Sequence, residues 1–345
     1  MLFLSESDVR RCLSMKDCLE ANRTALSSIV PGHNGIVPSR IGLQYQDSPT
    51  DWTLFKPAAY SNENDDAMMG IKVVGIRDDN PRKGLPRVPA TVMVLHPETG
   101  MVDAILSATY MTAARTAAGS ALSAQLFCST NTTDKTLVLF GAGLQAECHV
   151  DAMLCALSNS ISNIVIVNRT RERADALAES IRQTYSDTTI QTQVVLLQDK
   201  TAVRQVLENA DIVSCGTNTT VPLFDGKWLK PNCHVTGVGS FTKEMQEVDH
   251  ETVRRSRLFI DTPEAMAVGD LKHLQETNHG KEHVLLGRVL LDPTLVQESA
   301  GTGGDDGTDI TFFKSVGTAI QDVLTAQTVV ETARKLGIGT EVDMS

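Results

Sequence analysis

The sequence contains no apolar run that approaches the roughly 20 residues of a membrane-spanning helix, which excludes a protein built around such helices. Residues 1–4 are apolar, but charged residues soon follow, so the start lacks the basic region and longer apolar segment of a secretion signal. The chain also lacks an excess of positive charge, because its net charge is −11. That balance argues against nucleic acids and anionic membranes as partners, since both require basic patches. We expect a soluble, cytoplasmic protein, and the total charge does not exclude a small anionic ligand in a local basic pocket.

Disulfide pairing is not indicated either. The cysteines are odd in number and include no Cys-x-x-Cys pair, so we expect the reduced, buried thiols of a cytosolic protein. The seven are Cys12, Cys18, Cys128, Cys148, Cys155, Cys215 and Cys233.

Two segments resemble ligand motifs only superficially. His273, His279 and His283 lie close together, but no carboxylate motif accompanies them, so we predict a polar surface segment and no metal site. Residues 299–309 are glycine-rich, but they lack the lysine of a phosphate-binding loop and include three aspartates that would repel phosphate. We therefore predict a flexible loop there.

The composition is that of a globular protein. The chain has 345 residues, of which 41% are hydrophobic and 21% are charged. This length exceeds what one hydrophobic core usually organises, so two domains are expected.

From residue 136 onward, short apolar runs alternate with helical segments. The predicted strands are 136–140, 163–167, 189–197, 211–214, 234–238 and 257–261, and the predicted helices are 144–157, 170–183 and 202–208. Apolar strands that alternate with helices indicate a parallel sheet covered on both faces. The fold class predicted for this part is therefore α/β, doubly wound.

The two ends of the chain follow another pattern. Residues 7–28 are predicted to form an amphipathic helix, and five short runs between residues 37 and 107 are typical of an antiparallel sheet. The runs are broken by polar segments that suit turns. A further helix is predicted over 112–126, and the apolar periodicity of 312–336 predicts one long C-terminal helix. This helix is expected to pack on the N-terminal part, which gives an α+β domain built from both chain ends.

A glycine motif follows the first strand of the parallel part. Gly141-x-Gly143-x-x-Ala146 stands between an apolar strand and a helix, as a dinucleotide-binding turn requires. The first glycine permits the tight turn, the second lets the backbone approach a pyrophosphate, and Ala146 allows close helix–sheet packing. The helix N-terminus offers free N–H groups to the anion. We predict cofactor contacts along this turn, including Ala142 and Gln145.

The end of the second strand indicates which dinucleotide binds. An NAD enzyme usually places a carboxylate there for the ribose hydroxyls, whereas this chain has Asn168, Arg169 and Thr170, followed by Arg171 and Arg173. A guanidinium group can bind a 2′-phosphate through two hydrogen bonds. The segment predicts NADP(H) in preference to NAD(H), although Arg171 and Arg173 also suit the solvated start of a charged helix.

Six segments, in order from residue 37 to residue 323, carry a family resemblance. They are VPSR at 37–40, IKVV at 71–74, GLPRVPATVMVLHPETGMVDAILS at 84–107, YMTAARTAAGSALSAQL at 110–126, GAGLQA at 141–146 and TDITFFKSVGTAIQDV at 308–323. With these, the sequence resembles the ornithine cyclodeaminase/mu-crystallin family. The resemblance implies a substrate-binding and dimerisation domain from residues 1–125 and 312–345, a central NADP(H)-binding Rossmann domain from residues 126–311, and a homodimer.

The resemblance also implies site residues. In the family, three cations face the nicotinamide, and they correspond here to Arg40, Lys72 and Arg115. Guanidinium groups are suited to holding the carboxylate of an α-imino or α-amino acid still for hydride transfer. Lys72 could hold the carboxylate too, or supply a proton if burial lowers its pKa. Without the resemblance, each would pass for a surface cation. Further cofactor contacts are implied at Thr217, Val238, Val316 and Gly317.

One position departs from the family pattern. Cyclodeaminases of the family carry an aspartate after the fifth Rossmann strand, and the position aligned with it here is Phe241. Phenylalanine cannot transfer a proton, which puts ornithine cyclisation in doubt. Glu244 and Glu247 are the nearby carboxylates that would have to replace the aspartate, and both are expected to be exposed loop residues.

The sequence therefore favours an NADPH-dependent reductase of cyclic ketimines, of the pyrroline-2-carboxylate or piperideine-2-carboxylate type, that gives a cyclic L-amino acid. The enzymatic alternatives are an ornithine cyclodeaminase or a related amino-acid dehydrogenase. The alternative of another class is a mu-crystallin-like protein that binds a small molecule.

Overall fold

The computed structural model describes residues 1–45, 51–62, 67–128, 133–158, 160–276, 282–298 and 309–343. The chain divides into two compact units. Met1–Arg115 and Thr318–Ser345 form the first, called the terminal domain below, and Thr116–Gly317 form the second, called the central domain. The boundaries fall at residues 115/116 and 317/318, whereas the sequence placed them at 125/126 and 311/312.

The described residues form strands and helices that we number in chain order. The strands are β1 (Leu2–Leu4), β2 (Gly35–Ile36), β3 (Ile41–Gln44), β4 (Trp52–Ser61), β5 (Ala67–Ile76), β6 (Ala90–Leu95), β7 (Val102–Ser107), β8 (Lys135–Phe140), β9 (Ile161–Asn168), β10 (Gln191–Leu196), β11 (Ile212–Cys215), β12 (His234–Gly237), β13 (Ser256–Ile260), β14 (His283–Leu285), β15 (Ile310–Lys314) and β16 (Thr340–Glu341). The helices are α1 (Glu6–Cys12), α2 (Met15–Ser28), α3 (Thr109–Phe127), α4 (Leu144–Leu157), α5 (Arg171–Thr184), α6 (Lys200–Leu207), α7 (His250–Arg255), α8 (Lys272–Glu276), α9 (Leu286–Leu291), α10 (Thr294–Glu298) and α11 (Ala319–Leu336).

The terminal domain is built on one mixed sheet. Its strand order is β16-β1-β7-β6-β5-β4-β2, with β3 also paired to β4, and its neighbours are antiparallel except for the parallel pair β1 and β7. Helix α11 packs against β4, β5 and β6, and α2 packs on α11. Side chains alternate between the two faces of a strand, so every second residue of these strands faces the helix. Val92 and Leu106 are fully buried on that face.

The N-terminal helix differs from its prediction. Residues 7–28 were expected to form one helix, but the chain breaks between α1 and α2. Leu13 is extended, and the Ser14 hydroxyl accepts a hydrogen bond from the Asp17 N–H, which starts the second helix. A serine that caps a helix N-terminus competes with continuation of the preceding helix, and this local chemistry outweighs the apolar periodicity.

The tail also differs from its prediction. Residues 312–336 were expected to be helical throughout, but Ile310–Lys314 is a strand of the central sheet and α11 begins only at Ala319. Phe312 and Phe313 are fully buried in that sheet, and Gly317 has a φ of +74°, which ends the extended segment before the helix. A short apolar run cannot be assigned to strand or helix by periodicity alone.

The central domain is a doubly wound parallel sheet, as predicted. Its strand order is β10-β9-β8-β11-β12-β15-β13-β14, and all neighbours are parallel. The six predicted strands are present with small shifts at their ends, and β14 and β15 were not predicted. The order reverses between β8 and β11, and ligands of such sheets bind at the carboxyl ends of the strands beside this reversal.

Helix α3 explains the shifted domain boundary. Its second half belongs to the central domain, where the Ser120 hydroxyl lies 3.0 Å from His149 Nε2 and the Ser123 hydroxyl lies 2.9 Å from His234 Nε2. The ring centroid of Phe127 lies 4.1 Å from that of Phe259, with the two rings tilted by 32°. These contacts join residues 116–127 to the parallel sheet, so the boundary lies within the helix.

Smaller expectations have mixed outcomes. Six of the cysteines are buried, as expected, whereas Cys155 is exposed, and all seven are free thiols. His279 and residues 299–308 lie outside the described residues, so their predictions stay untested. In the part of the chain that the structure describes, no helix is both long and apolar enough to cross a membrane.

Gly70 tests the packing of β5 against α11. A Cβ atom there would lie 2.7 Å from the Met93 carbonyl oxygen and 3.2 Å from a methyl of Val323. We expect Gly70→Ala to lower the free energy of unfolding by about 1–3 kcal/mol, as overpacking does. In the same strand, a Cβ at Gly75 would meet nothing closer than 3.4 Å. Gly75→Ala should be neutral or slightly stabilising. Urea denaturation measures both, and equal effects would contradict the packing.

Candidate functional site

Three buried cations meet one carboxylate in the terminal domain. Lys72 Nζ donates to Asp322 Oδ1 at 2.8 Å, and Arg115 Nε donates to the same oxygen at 2.9 Å. Lys56 Nζ lies 3.8 Å from the other oxygen, Oδ2. All four side chains are at least nine-tenths buried, and that of Lys72 is only 1% exposed. We call this group the cation cluster.

The fold brings these residues together from four elements. Lys56 on β4 pairs directly with Lys72 on β5, so both side chains point to the same face of the sheet. This is the face covered by α11, which carries Asp322 in its first turn. Arg115 extends from α3. The sequence separations of 250 and 207 residues show that only the tertiary fold assembles the cluster.

Opposing electrostatic effects act within the cluster. Burial favours the neutral amine and lowers the pKa of Lys72 to about 7 against the pull of Asp322, with Arg115 and Lys56 adding to the decrease. For Asp322, burial favours the protonated form, but Arg115, Lys72 and Lys56 outweigh it and lower the pKa to about 2. Asp322 is therefore ionised at neutral pH, while Lys72 can hold or release a proton there.

A second polar chain orients Arg115. The Gln321 side-chain oxygen accepts from Arg115 Nη1 at 3.3 Å and from the Thr318 N–H at 3.0 Å. Its amide nitrogen donates to Asn22 Oδ1 on α2 at 2.8 Å. Since Asp322 and Gln321 both hold the guanidinium group, Arg115 is fixed before any ligand arrives. The cluster carries more cations than carboxylates, and this excess suits it to binding a small carboxylate anion.

The glycine turn of the central domain has the geometry of a dinucleotide site. Gly141 has a φ of +111°, and a Cβ at Gly143 would meet nothing within 4 Å, so the turn leaves open space beside the backbone. No side chain caps the N-terminus of α4, and Ala146 is buried beneath it. Gln145 Oε1 is buried without a hydrogen-bond partner among the described residues. Free N–H groups, open space and an unpaired acceptor fit a bound pyrophosphate and its sugars.

The tip of β9 carries a turn and exposed arginines. Asn168 Nδ2 donates to the Thr170 carbonyl oxygen at 2.8 Å and so closes the turn. Arg169 and Arg173 are exposed, as is Arg171, which lies 3.8 Å from Asp175. Ala142 sits half-buried in the glycine turn.

Glu247 was expected to be exposed, and that expectation is wrong. Its side chain is fully buried, and Oε1 accepts from the N–H and the hydroxyl of Thr217 at 2.6 and 2.8 Å. Oε2 accepts from the N–H groups of Gly239 and Ser240 at 2.6 and 3.2 Å. Burial, followed by the charge of Asp270, raises the pKa of Glu247 to about 6. The carboxylate ties together the loops after β11 and β12.

A buried ion pair supports Glu247. Asp270 Oδ1 accepts from the Glu247 N–H at 2.6 Å, and Asp270 Oδ2 accepts from Lys314 Nζ at 2.8 Å. Glu244 is exposed, as expected, and Phe241 is half-buried. Because the Glu247 carboxylate accepts four hydrogen bonds from the protein, this side chain is poorly placed to replace a catalytic aspartate.

Two predicted cofactor residues have their N–H groups occupied. Val316 and Gly317 both donate to Asp261 Oδ2, at 2.9 and 2.6 Å. Neither can therefore offer its N–H group to a phosphate. Val238, half-buried after β12, donates its N–H to the Cys215 carbonyl oxygen.

The structure thus brings together only part of the predicted cationic set. Lys72 and Arg115 share Asp322, whereas Arg40 is half-buried between β2 and β3 and makes no hydrogen bond or ion pair with the cluster among the described contacts. Sequence reasoning missed Lys56 and Asp322. Asp322 could have been recognised as a charged residue on a face of the C-terminal helix that is otherwise apolar.

Comparison with known proteins places these features in context. The model of the ornithine cyclodeaminase/mu-crystallin family matches residues 1–337. A Delta(1)-pyrroline-2-carboxylate reductase of Bacillus cereus is 28% identical over 349 residues, covering 99% of this chain and 100% of the relative. The ketimine reductase mu-crystallin of Mus musculus is 28% identical over 271 residues, covering 79% of this chain and 77% of the relative. The structure of Thermococcus litoralis Delta(1)-pyrroline-2-carboxylate reductase in complex with NADH and L-proline has a TM-score of 0.84 at 28% identity. The match covers 99% of this chain and 100% of the relative.

Removing the shared carboxylate tests the cluster. We expect Asp322→Asn to lower the free energy of unfolding by about 3–5 kcal/mol, because it leaves buried cations without their partner. Asp103 pairs with Arg334 at 2.5 Å in the same domain, but that pair is partly exposed. Asp103→Asn should cost less than about 1 kcal/mol. Chemical denaturation compares the two, and a small loss for both would contradict the role of Asp322.

Proposed function

The chain belongs to the ornithine cyclodeaminase/mu-crystallin family, and on that premise we propose that it is an NADPH-dependent reductase of cyclic ketimines that yields cyclic L-amino acids. Its class is that of an oxidoreductase acting on carbon–nitrogen bonds. The expected substrates are of the pyrroline-2-carboxylate and piperideine-2-carboxylate type. The observation that carries the proposal is the cation cluster, in which a fixed guanidinium group stands beside a lysine with a pKa of about 7.

The cluster residues have distinct roles in this reaction. Arg115, held by Asp322 and Gln321, binds the substrate carboxylate, because a pre-oriented guanidinium loses little freedom on binding. Lys72 in its ammonium form gives a proton to the imine nitrogen, which makes the adjacent carbon a better hydride acceptor. The nicotinamide cofactor supplies the hydride when it is bound. Asp322 keeps both side chains in place.

The cofactor is proposed to be NADP(H). Support comes from the three exposed arginines at and after the tip of β9, where no carboxylate is available to the ribose hydroxyls. A 2′-phosphate placed there would gain charge-assisted hydrogen bonds from Arg169. The Thermococcus litoralis relative was solved with NADH, which carries no 2′-phosphate.

Two alternatives are less well supported. Cyclodeamination needs a carboxylate where this chain has Phe241; Glu247 is occupied by four hydrogen bonds, and Glu244 is exposed. A binding protein without catalysis needs no proton donor, whereas Lys72 is tuned to exchange its proton near neutral pH. Both observations favour reduction.

We further propose a homodimer that buries the sheet face opposite α11. One register line across this face consists of apolar residues from five strands: Pro57, Ile71, Met93, Ile105 and Phe3. Phe3 is 46% exposed and Met69, on the same face, is 37% exposed. An uncharged apolar sheet face of this kind is stabilised by a second copy of itself about a twofold axis.

Turnover tests the reaction. With NADPH and either cyclic ketimine, absorbance at the NADPH band should fall, and kcat/KM should decline as pH rises through about 7, because Lys72 then loses the proton that it must donate. Lys72→Met and Arg115→Met should each lower kcat/KM at least about 10- to 150-fold. The exposed Arg254→Met serves as the control. Release of ammonia from ornithine with proline as product would instead identify a cyclodeaminase.

Arg169 tests the cofactor preference. We expect Arg169→Ala to weaken NADPH binding about 10- to 100-fold and to leave NADH binding nearly unchanged, because only NADPH carries the 2′-phosphate. Arg182→Ala, at the other end of α5, should change neither. Cofactor fluorescence titration measures both constants. Equal losses for the two cofactors would remove the 2′-phosphate assignment.

Light scattering tests the assembly. The purified protein should have twice the mass of one chain at micromolar concentration. Met69→Glu should shift it toward monomers, because a buried carboxylate would oppose the interface. Leu85→Glu changes an exposed residue outside the strands and should leave the mass unchanged. A monomeric unmodified protein would contradict the proposal.

A further inference from the structure

Lys56 is a buried cation that the family resemblance does not assign. It pairs directly with Lys72 across β4 and β5, and directly opposed residues on one sheet face have Cβ atoms about 4.5–5.5 Å apart. Its Nζ lies 3.8 Å from Asp322 Oδ2, an oxygen that accepts no hydrogen bond among the described residues. Lys56 therefore stands beside Lys72 on one side and faces the far oxygen of Asp322 on the other.

The charges of the cluster do not balance when all groups are ionised. Lys56, Lys72 and Arg115 are cations, and Asp322 is the one carboxylate described at their centre. Uncompensated charge is costly in a buried site. Arginine does not release a proton in proteins, so Lys56 and Lys72 are the cations of the cluster that can do so. Lys72 is the more deeply buried, with 1% of its side chain exposed against 7% for Lys56.

Among the described residues, three charged groups act on Lys72. They are Lys56 from β4, Arg115 from α3 and Asp322 from α11. The β6 residue opposite Lys72 is Val92, which is apolar. Asn22 and Gln321, which adjoin the cluster, do not titrate.

We propose that Lys56 is a positioning residue whose charge, next to Lys72 and on the far oxygen of Asp322, keeps Lys72 ready to give its proton to a substrate nitrogen. The identity of that proton acceptor rests on the proposed function. In the step, an N–H bond of the Lys72 ammonium breaks and an N–H bond forms at the imine nitrogen. The carbon receives the hydride of NADPH, and the neutral Lys72 regains a proton from water.

The electrostatic balance at Lys72 agrees with this role. Burial is the main cause of its low pKa, Asp322 opposes it, and Arg115 and then Lys56 lower the pKa further. Two like charges that face each other across neighbouring strands repel, and the repulsion is strong where both side chains are buried. Removing the charge of Lys56 should therefore let Lys72 keep its proton to a higher pH.

The experiment measures the titration of Lys72 directly. In protein labelled with ¹³C-lysine, the Cε resonance of Lys72 is assigned by its loss in Lys72→Met. In Lys56→Met its titration midpoint should rise by about one pH unit or more. In Lys56→Arg, which keeps the charge, and in Lys16→Met, which removes an exposed lysine of α2, the midpoint should stay where it is. The basic limb of kcat/KM for ketimine reduction should move with the midpoint.

The outcomes separate the two proposals. An unchanged Lys72 midpoint in a folded Lys56→Met protein, or in Lys56→Gln where the methionine variant does not fold, overturns the role of Lys56. A shifted midpoint with an unmoved kcat/KM limb also overturns it, because Lys72 would then not be the proton donor. If the unmodified enzyme reduces no ketimine while the midpoint shifts as expected, the proposed function fails and the coupling between Lys56 and Lys72 stands.

Discussion

The carboxylate of Asp322 is the group on which the candidate site depends. One of its oxygens receives hydrogen bonds from Lys72 on a strand and Arg115 on a helix, which lie 250 and 207 residues from Asp322 in sequence. A buried carboxylate is stable only when such donors surround it, and the buried cations are stable only beside it. The helix that carries Asp322 also covers the sheet of the terminal domain, so packing and charge pairing depend on the same element.

The central domain uses a buried carboxylate in a similar way. Glu247 accepts four hydrogen bonds from the loops that follow β11 and β12. Its N–H donates to Asp270, which is paired with Lys314. Hydrogen bonds to a carboxylate are stronger than those between neutral groups. These loops are therefore held at the carboxyl ends of the strands, where dinucleotides bind in this fold. Glu247 thereby serves the shape of the site, and this accounts for its burial in a segment that looks like an ordinary polar loop.

Most of the fold could be predicted because its signals are local. The alternation of apolar runs gave the parallel strands, and Gly141, Gly143 and Ala146 marked the turn at the first of them. The segment around Phe312 was assigned to a helix because a short buried run has no periodicity that separates strand from helix. Lys56 and Asp322 escaped prediction for another reason: their role comes from partners up to 266 residues away in sequence, which no local pattern records. The burial of Glu247 was missed likewise, since its nearest donors come from two separate loops.

The claim that the chain reduces a carbon–nitrogen double bond is tested most directly by following the hydride. The enzyme would be given a cyclic ketimine and NADPH that carries deuterium at both C4 positions, and the product would be analysed by mass spectrometry. We expect a cyclic amino acid with one deuterium on its α-carbon and no ammonia released. A product without deuterium on its α-carbon would contradict the reduction of a carbon–nitrogen double bond by this chain.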